Sequence, residues 1–331
     1  MPDPQPAINA PQTRAAIFLV LALEPGAADT QSVRSTCGDL DKLIRAVSAR
    51  DSSGNLSCVV GFGSAAWDRL FGEPRPAGLH AFRELRGGPR VVPSTPGDLL
   101  FHIRAERADM CYELGAQIMA RLVGDVVVVD ETHGFRYFDD RDLTGFVDGT
   151  ENPTGSLSIA STIVGDEDSD FAGGSYVMVQ MYLHDHARWY ALATEVQESI
   201  IGRTKLDDVE LDDDHKPVFA HNALTTIVEN GVEVKILRHN MPFGRVTSGD
   251  SGTYFIGYAR SLDPLETMLQ NMVIGRPPGT YDHLLDYTVP VTGTNFFAPS
   301  LQFLAALASD EPVRPMPPAS AVAKTRAQLA R

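Results

Sequence analysis

Strand-type and helix-type apolar patterns alternate along this chain in the same order twice, and that repeated order restricts its fold more than any other feature. Residues 14–24 form an apolar run of strand length. Val33, Cys37, Leu40, Ile44 and Val47 then recur at three- and four-residue spacing, which predicts an amphipathic helix starting near Asp29 or Thr30. A strand pattern returns at 56–62, followed by a short helix over 63–71 carrying Trp67 and a Pro-, Gly- and Arg-rich loop over 72–97. A third strand at 99–104, a helix over 107–122 with Met110, Leu114, Ile118 and Leu122 on one face, and a fourth strand at 125–130 complete a β-α-β-β-α-β order. The second round reads as a strand at 175–183, a helix over 186–199, strands at 232–237 and 252–259, and a helix over 264–273 that turns Leu265, Met268, Leu269 and Met272 inward.

Two such units predict an α+β fold of two duplicated ferredoxin-like domains, each an antiparallel sheet with helices on one face. No sequence repeat accompanies them, so the duplication rests on element order alone. The expected organisation is a mobile arm over 1–13, where Pro2, Pro4, Pro6 and Pro11 oppose regular structure, a first domain over 14–140, a second over 141–310 and a flexible tail over 311–331.

Charge narrows the partners. The chain carries 43 acidic and 28 basic residues, a formal −15, which repels a nucleic-acid backbone or an anionic membrane and leaves small molecules or proteins. Cys37, Cys58 and Cys111 are too few and too scattered for a disulfide framework and read as reduced core residues. The apolar run at 17–23 lacks the flanks of a signal peptide and no run reaches the ~20 residues that span a bilayer, so the expectation is a soluble, cytoplasmic protein.

Residues 145–153, Gly-Phe-Val-Asp-Gly-Thr-Glu-Asn-Pro, place Asp148 between two glycines and ahead of an Asn-Pro turn. Such a loop is either a surface turn or an element that brings backbone and carboxylate to a ligand. Of nine histidines, His184, His186, His215 and His283 sit in polar stretches and read as surface residues, and His102 in a strand reads as structural. His221 lies between apolar Val218-Phe219-Ala220 and Asn222-Ala223-Leu224, which suits either a core histidine or a neutral imidazole held for a metal. Arg238 ends an apolar strand pattern, either as an ion-paired strand end or as a guanidinium aimed into a cavity.

The Gly145-Phe146-Val147-Asp148-Gly149 segment resembles the G-x-x-D-G signature of the dye-decolorizing peroxidases. Other family segments follow in order: Leu99 to Arg104, Ala220-His221, Leu237-Arg238-His239-Asn240, Gly252 to Arg260, and Val291-Thr292-Gly293. The likeness covers about residues 14–305 and is nearest the bacterial B-type branch. It implies one b-type haem per chain, bound in the C-terminal domain with His221 as axial ligand of the iron. Asp286 is the carboxylate expected behind His221, with Asp282 in reserve. Asp148 and Arg238 form the expected distal pair, Asn240 lines the same pocket, His239 points away, and Gly149, Thr150 and Glu151 offer groups to a haem propionate.

The implied activity is reduction of hydrogen peroxide through a ferryl intermediate, with one-electron oxidation of small aromatic donors such as dyes and phenolics. The alternative is a haem-binding or haem-handling protein with incidental peroxidase activity, for which a distal Asp and Arg together have no purpose. An aspartate base, with an ordinary pKa near ~3.9 against ~6.5 for histidine, predicts an acid optimum. Trp67, Trp189, Tyr190 and Tyr254 are either electron outlets or core packing, and Asp212, Asp213 and Asp214 either hold a cation such as manganese or form a solvated loop. The resemblance also implies a homo-oligomer. The tail shows no Leu/Ile-Gly-Ser-Leu-like segment, which counts against encapsulation in a protein nanocompartment.

Overall fold

The apolar run that opens the first unit forms β1 (Ala15–Leu23), whose side chains are buried on both faces of a sheet. The computed structural model describes residues 2–26, 30–247 and 249–308. In the first unit β1 is joined by β2 (Ser57–Phe62), β3 (Leu99–Ala105) and β4 (Val126–Phe135) in the order β2-β3-β1-β4, every pair antiparallel. Helices α1 (Gln31–Gly38), α2 (Leu40–Ser48) and α3 (Ala108–Arg121) pack their apolar residues on the same core as Ile17, Val60 and Phe101.

The second unit repeats the scheme. Its strands are β5 (Ser175–His184), the broken pair β6 (Leu237–Arg238) and β7 (Met241–Gly244), β8 (Ser251–Ala259) and β9 (Thr294–Ala298). Both β6 and β7 pair with β8, and the order continues β8-β5-β9, again antiparallel. Both units thus show the ferredoxin-like order expected from the element sequence. They are also fused, because β9 pairs with β2 at Phe297 and Phe62, which makes one ten-stranded sheet.

That sheet curls until faces from the two units meet. Phe18 of β1 stacks on Tyr254 of β8 at 4.1 Å, and His102 Nδ1 of β3 lies 2.8 Å from the Tyr258 hydroxyl. A second core of Phe18, Val59, Leu100, Val177, Ile256 and Phe296 fills the space between them. Because side chains alternate along a strand, the residues of β5 and β8 that do not enter this core face the opposite side. Met178, Gln180, Tyr182 and Phe255 therefore line a cavity there.

Several expectations change. The helix predicted across Val33 to Val47 is two helices broken at Asp39, and Gly38 at the break lets the backbone of Leu307 and Ala308 approach to within a Cβ's space. The helix predicted over 186–199 divides into α4 (His186–Tyr190) and α5 (Thr194–Ile201). The strand predicted at 232–237 is instead one arm of a hairpin, Ile227–Glu229 with Val232–Val234, turned by Asn230 and Gly231 at positive φ. The arm expected to be mobile is packed. Ala7 and Ile8 are buried, and Gln5 bonds the Val60 backbone in both directions and the Pro299 carbonyl. Proline opposes longer regular structure there, and only a 3-10 turn forms at Pro6–Ile8, but it does not exclude docking. Asp29 and the predicted tail lie outside the described residues.

Candidate active site

The loop at 139–153 is shaped by its own backbone. Asp142 N–H donates to the Phe146 carbonyl at 2.8 Å and Asp148 N–H to the Asp140 carbonyl at 2.9 Å, which turns both carboxylates toward one cavity. Gly145 and Gly149 occupy the left-handed region, at φ 93° and 87°. Of the two only Gly149 lines the cavity, whereas Gly145 makes room for Lys205, whose Cε lies 2.6 Å from where a Cβ would stand.

The empty space between the cavity walls, counted out into open solvent, is about 1490 Å³. One wall is the sheet face of β5 and β8; the other is built from α6 (His221–Thr225) and α7 (Asp263–Val273), which contributes Leu265, Met268, Leu269 and Met272. His221 begins α6. Its Nδ1 lies 2.6 Å from Oδ2 of Asp282, a carboxylate with no solvent exposure, and its Nε2 has no protein partner among the described residues. The carboxylate behind His221 is therefore Asp282, and the expectation of Asp286 is corrected. Asp286 accepts a hydrogen bond from the Tyr281 hydroxyl instead. Asp282 caps the short helical turn His283–Asp286, with Oδ1 accepting from Leu284 N–H, so its Oδ2 is aimed by local backbone geometry.

Asp148, Arg238 and Asn240 also line the cavity. Asn240 donates from Nδ2 to Asp148 Oδ2 at 3.0 Å, and Asn152 clamps the Arg238 backbone in both directions, at 2.8 and 3.0 Å. The Arg238 guanidinium has no ion-pair partner among the described residues. His239 turns to the other face, where Nε2 meets the Ile8 carbonyl at 2.9 Å. Thr150 and Glu151 line the cavity with their side chains engaged, Thr150 to Asp208 and Glu151 between Arg203 and Lys235. Hydrogen bonding to Lys235, with Arg203 nearby, holds the Glu151 carboxyl below its ordinary range.

Two groups were missed by the sequence reading. His184, expected on the surface, has a side chain only 5% exposed and sits in the cavity wall beside Asp142. Burial would raise the Asp142 carboxyl, but the His184 charge, with hydrogen bonds from His184, Thr253 and the Thr144 N–H, holds it well below the usual carboxylate range. The two-residue period through Met178, Gln180 and Tyr182 was the available signal.

Trp67, Trp189 and Tyr254 are core residues, each 1% exposed or less, and Tyr190 is 55% exposed. The three cysteines are free and buried. Asp212 to Asp214 lie in an exposed turn, and no group of three metal-ligating side chains forms among the described residues.

A cavity whose lining combines apolar side chains, a carboxylate-backed imidazole, an unpaired guanidinium and a carboxylate fits a flat, iron-centred cofactor. The family models agree with this class of site: Dyp-type peroxidase, N-terminal, matches residues 5–136 and Dyp-type peroxidase, C-terminal, matches residues 139–303. The chain belongs to the Dyp-type peroxidase family. It is 54% identical over 316 residues to a dye-decolorizing peroxidase of Mycolicibacterium paratuberculosis, covering 95% of this chain and 87% of that one. It is 52% identical over 318 residues to the dye-decolorizing peroxidase of Rhodococcus erythropolis, covering 96% and 92%. Among solved structures it resembles DyPB from Rhodococcus jostii, with TM-score 0.90, 52% identity and coverage of 92% and 97%. The encapsulated DyP-type peroxidase from Mycobacterium smegmatis matches at TM-score 0.89 and 52% identity, covering 96% and 100%. A further DypB structure from Rhodococcus jostii is described as a complex with haem.

Proposed function

We propose that the chain is a haem peroxidase that reduces hydrogen peroxide and oxidises dyes and phenolic donors one electron at a time. The observation that carries the reading is His221, anchored at Nδ1 by a buried carboxylate with Nε2 left unpaired at the cavity. A haem held there would supply an iron that binds peroxide and stores its oxidising equivalents. His221 Nε2 would hold the iron, and Asp282 would fix the tautomer and raise the basicity of the ring. Met178, Phe255, Leu265 and Met272 would contact the apolar faces of the ring system and exclude water.

Asp148 would move a proton from one peroxide oxygen to the other, its Oδ2 already held by Asn240 and its Oδ1 without a partner among the described residues. Arg238 stays protonated and would donate to the departing oxygen. Gly149, Thr150 and Glu151 have backbone N–H groups with no acceptor among the described residues, which suits a cofactor carboxylate.

An absorption spectrum tests the assignment. Added haem should give a Soret band that His221→Ala weakens or loses; no band in the wild type, or an unchanged band in the variant, overturns it. The reading extends to a cytoplasmic homo-oligomer with domains at 14–140 and 141–310. It is supported by the family likeness and by the lack, among the described residues, of any helix long and apolar enough to cross a membrane. Light scattering that gives only a monomer mass would remove the oligomer.

A further inference from the structure

We infer that His184 is the proton port of the cavity, passing protons between solvent in a neighbouring cleft and the chamber that holds Asp148 and Arg238. The inference rests on the peroxidase reading and names how one co-substrate, the proton, arrives.

Beside the cavity opens a second, solvent-facing cleft bordered by Phe135, His186, Tyr190, Arg245 and Ser251. Among the described residues, His184 alone lines both spaces. The cause is its place at the end of β5: it continues the cavity-facing series Met178, Gln180 and Tyr182, and the chain then turns at Asp185 into α4, whose first residue His186 faces the cleft. The two imidazoles meet edge to face at 5.6 Å, and His186 Nε2 bonds the Ser251 hydroxyl at 2.9 Å.

On the cavity side both nitrogens of His184 have partners that can pass a proton on. Nδ1 lies 2.8 Å from the Thr288 hydroxyl, and Nε2 lies 3.0 Å from the Thr253 hydroxyl and 3.2 Å from Asp142 Oδ1. Asp142, Thr253 and Thr288 all line the cavity. Asp142 shares its loop with Asp148, and Thr253 lies on β8 two residues from Phe255. Asn240, which holds Asp148, accepts from the N–H of Ile256 on the same strand. A proton released at the His184 and Asp142 pair therefore enters the cavity that Asp148 and Arg238 also line.

The reaction requires such an entry. Peroxide reduction consumes two protons and two electrons: H2O2 + 2 H+ + 2 e− → 2 H2O. A bulky phenolic donor oxidised outside the cavity gives ArOH → ArO• + H+ + e−, and its proton leaves to solvent. Two donors balance the equation, but the electrons and protons then reach the cavity separately. Asp148 can transfer a proton between the peroxide oxygens, yet it creates none. An imidazole set in the wall between the two spaces, whose ring can take up a proton and pass it on, meets the need.

The test compares donors that differ in whether they bring a proton. With ferrocyanide, which delivers an electron alone, His184→Gln should consume peroxide about ten-fold or more slowly than wild type at equal haem content. It should also show a larger solvent isotope effect, and added imidazole should restore part of the rate in His184→Ala. With a small phenol that enters the cavity carrying its own proton, the loss should be smaller. An equal loss with both donors, or no loss with ferrocyanide, overturns the proposal. A readout independent of turnover is the exchange of ring N–H groups with D2O in the cofactor-free chain, followed by NMR. Exchange at His184 should be much faster than at His102, which is fully buried; comparable persistence at His184 overturns the port. A wild-type chain that takes up no haem or consumes no peroxide defeats the earlier reading, and the ring-exchange result still decides the port.

Discussion

The 2.6 Å contact between His221 Nδ1 and Asp282 couples a cavity imidazole to a carboxylate that solvent does not reach. Removing that charge while keeping the shape should weaken the ring as a metal ligand. Asp282→Asn is expected to lower haem affinity about 10–100-fold in a spectroscopic titration, whereas Asp286→Asn should leave it unchanged. The reverse pattern would restore Asp286 to the role first assigned to it. Asp142 makes a different prediction, because its folded carboxyl is held below the ordinary ~3.9. The folded state then releases this proton more readily than the unfolded chain. The resulting stabilisation is fully present above the ordinary carboxylate range and is lost as pH falls through it toward the folded value. Asp142→Asn should therefore lower the denaturation midpoint at neutral pH and narrow its gap from wild type in acid. A gap that stays constant from neutral to acid pH would contradict this.

At the scale of elements, the fusion of the two units depends on a short contact. β9 and β2 meet at a single registered pair, Phe297 and Phe62. Gln5 reinforces the joint from outside the sheet, donating to the Val60 and Pro299 carbonyls at 2.8 and 3.0 Å and accepting from the Val60 N–H at 2.9 Å. Since Gln5 is only 2% exposed, Gln5→Ala strands these backbone groups away from water. We expect a loss of about 1–3 kcal/mol in urea unfolding, with the haem spectrum retained. A neutral effect would mean that the arm is dispensable. The apolar patterns showed the strands of the first unit and β5 and β8 of the second, but not β9 or the docked arm, because local pattern and composition say nothing of what a segment packs against. The hairpin at Asn230-Gly231 did carry its turn signal, but the alternation through Val232, Val234 and Ile236 reads as one continuous strand to 237.

The whole molecule carries a formal −15, and screening governs how that charge acts on donors arriving from solution. At low salt, kcat/KM for a sulfonated, anionic dye should be depressed and should rise as ionic strength increases. For a cationic dye of similar size the trend should run the other way. Matching trends for both dyes would show that local charge at the site of oxidation outweighs the global field.

The sequence by itself determined what short-range chemistry can encode. It specified the twofold β-α-β-β-α-β order, the loop that presents Asp148 and the alternation that sends Asn240 with Arg238 and His239 away, because strand period and turn residues are local properties. Only the tertiary structure decided which carboxylate stands behind His221, since Asp282 and Asp286 are four residues apart and one helical turn chooses between them. It alone placed His184 in a wall shared by two spaces. That position arises where β5 ends against the loop at 139–153, a juxtaposition of segments about forty residues apart that burial and hydrogen bonding hold together and no local pattern records.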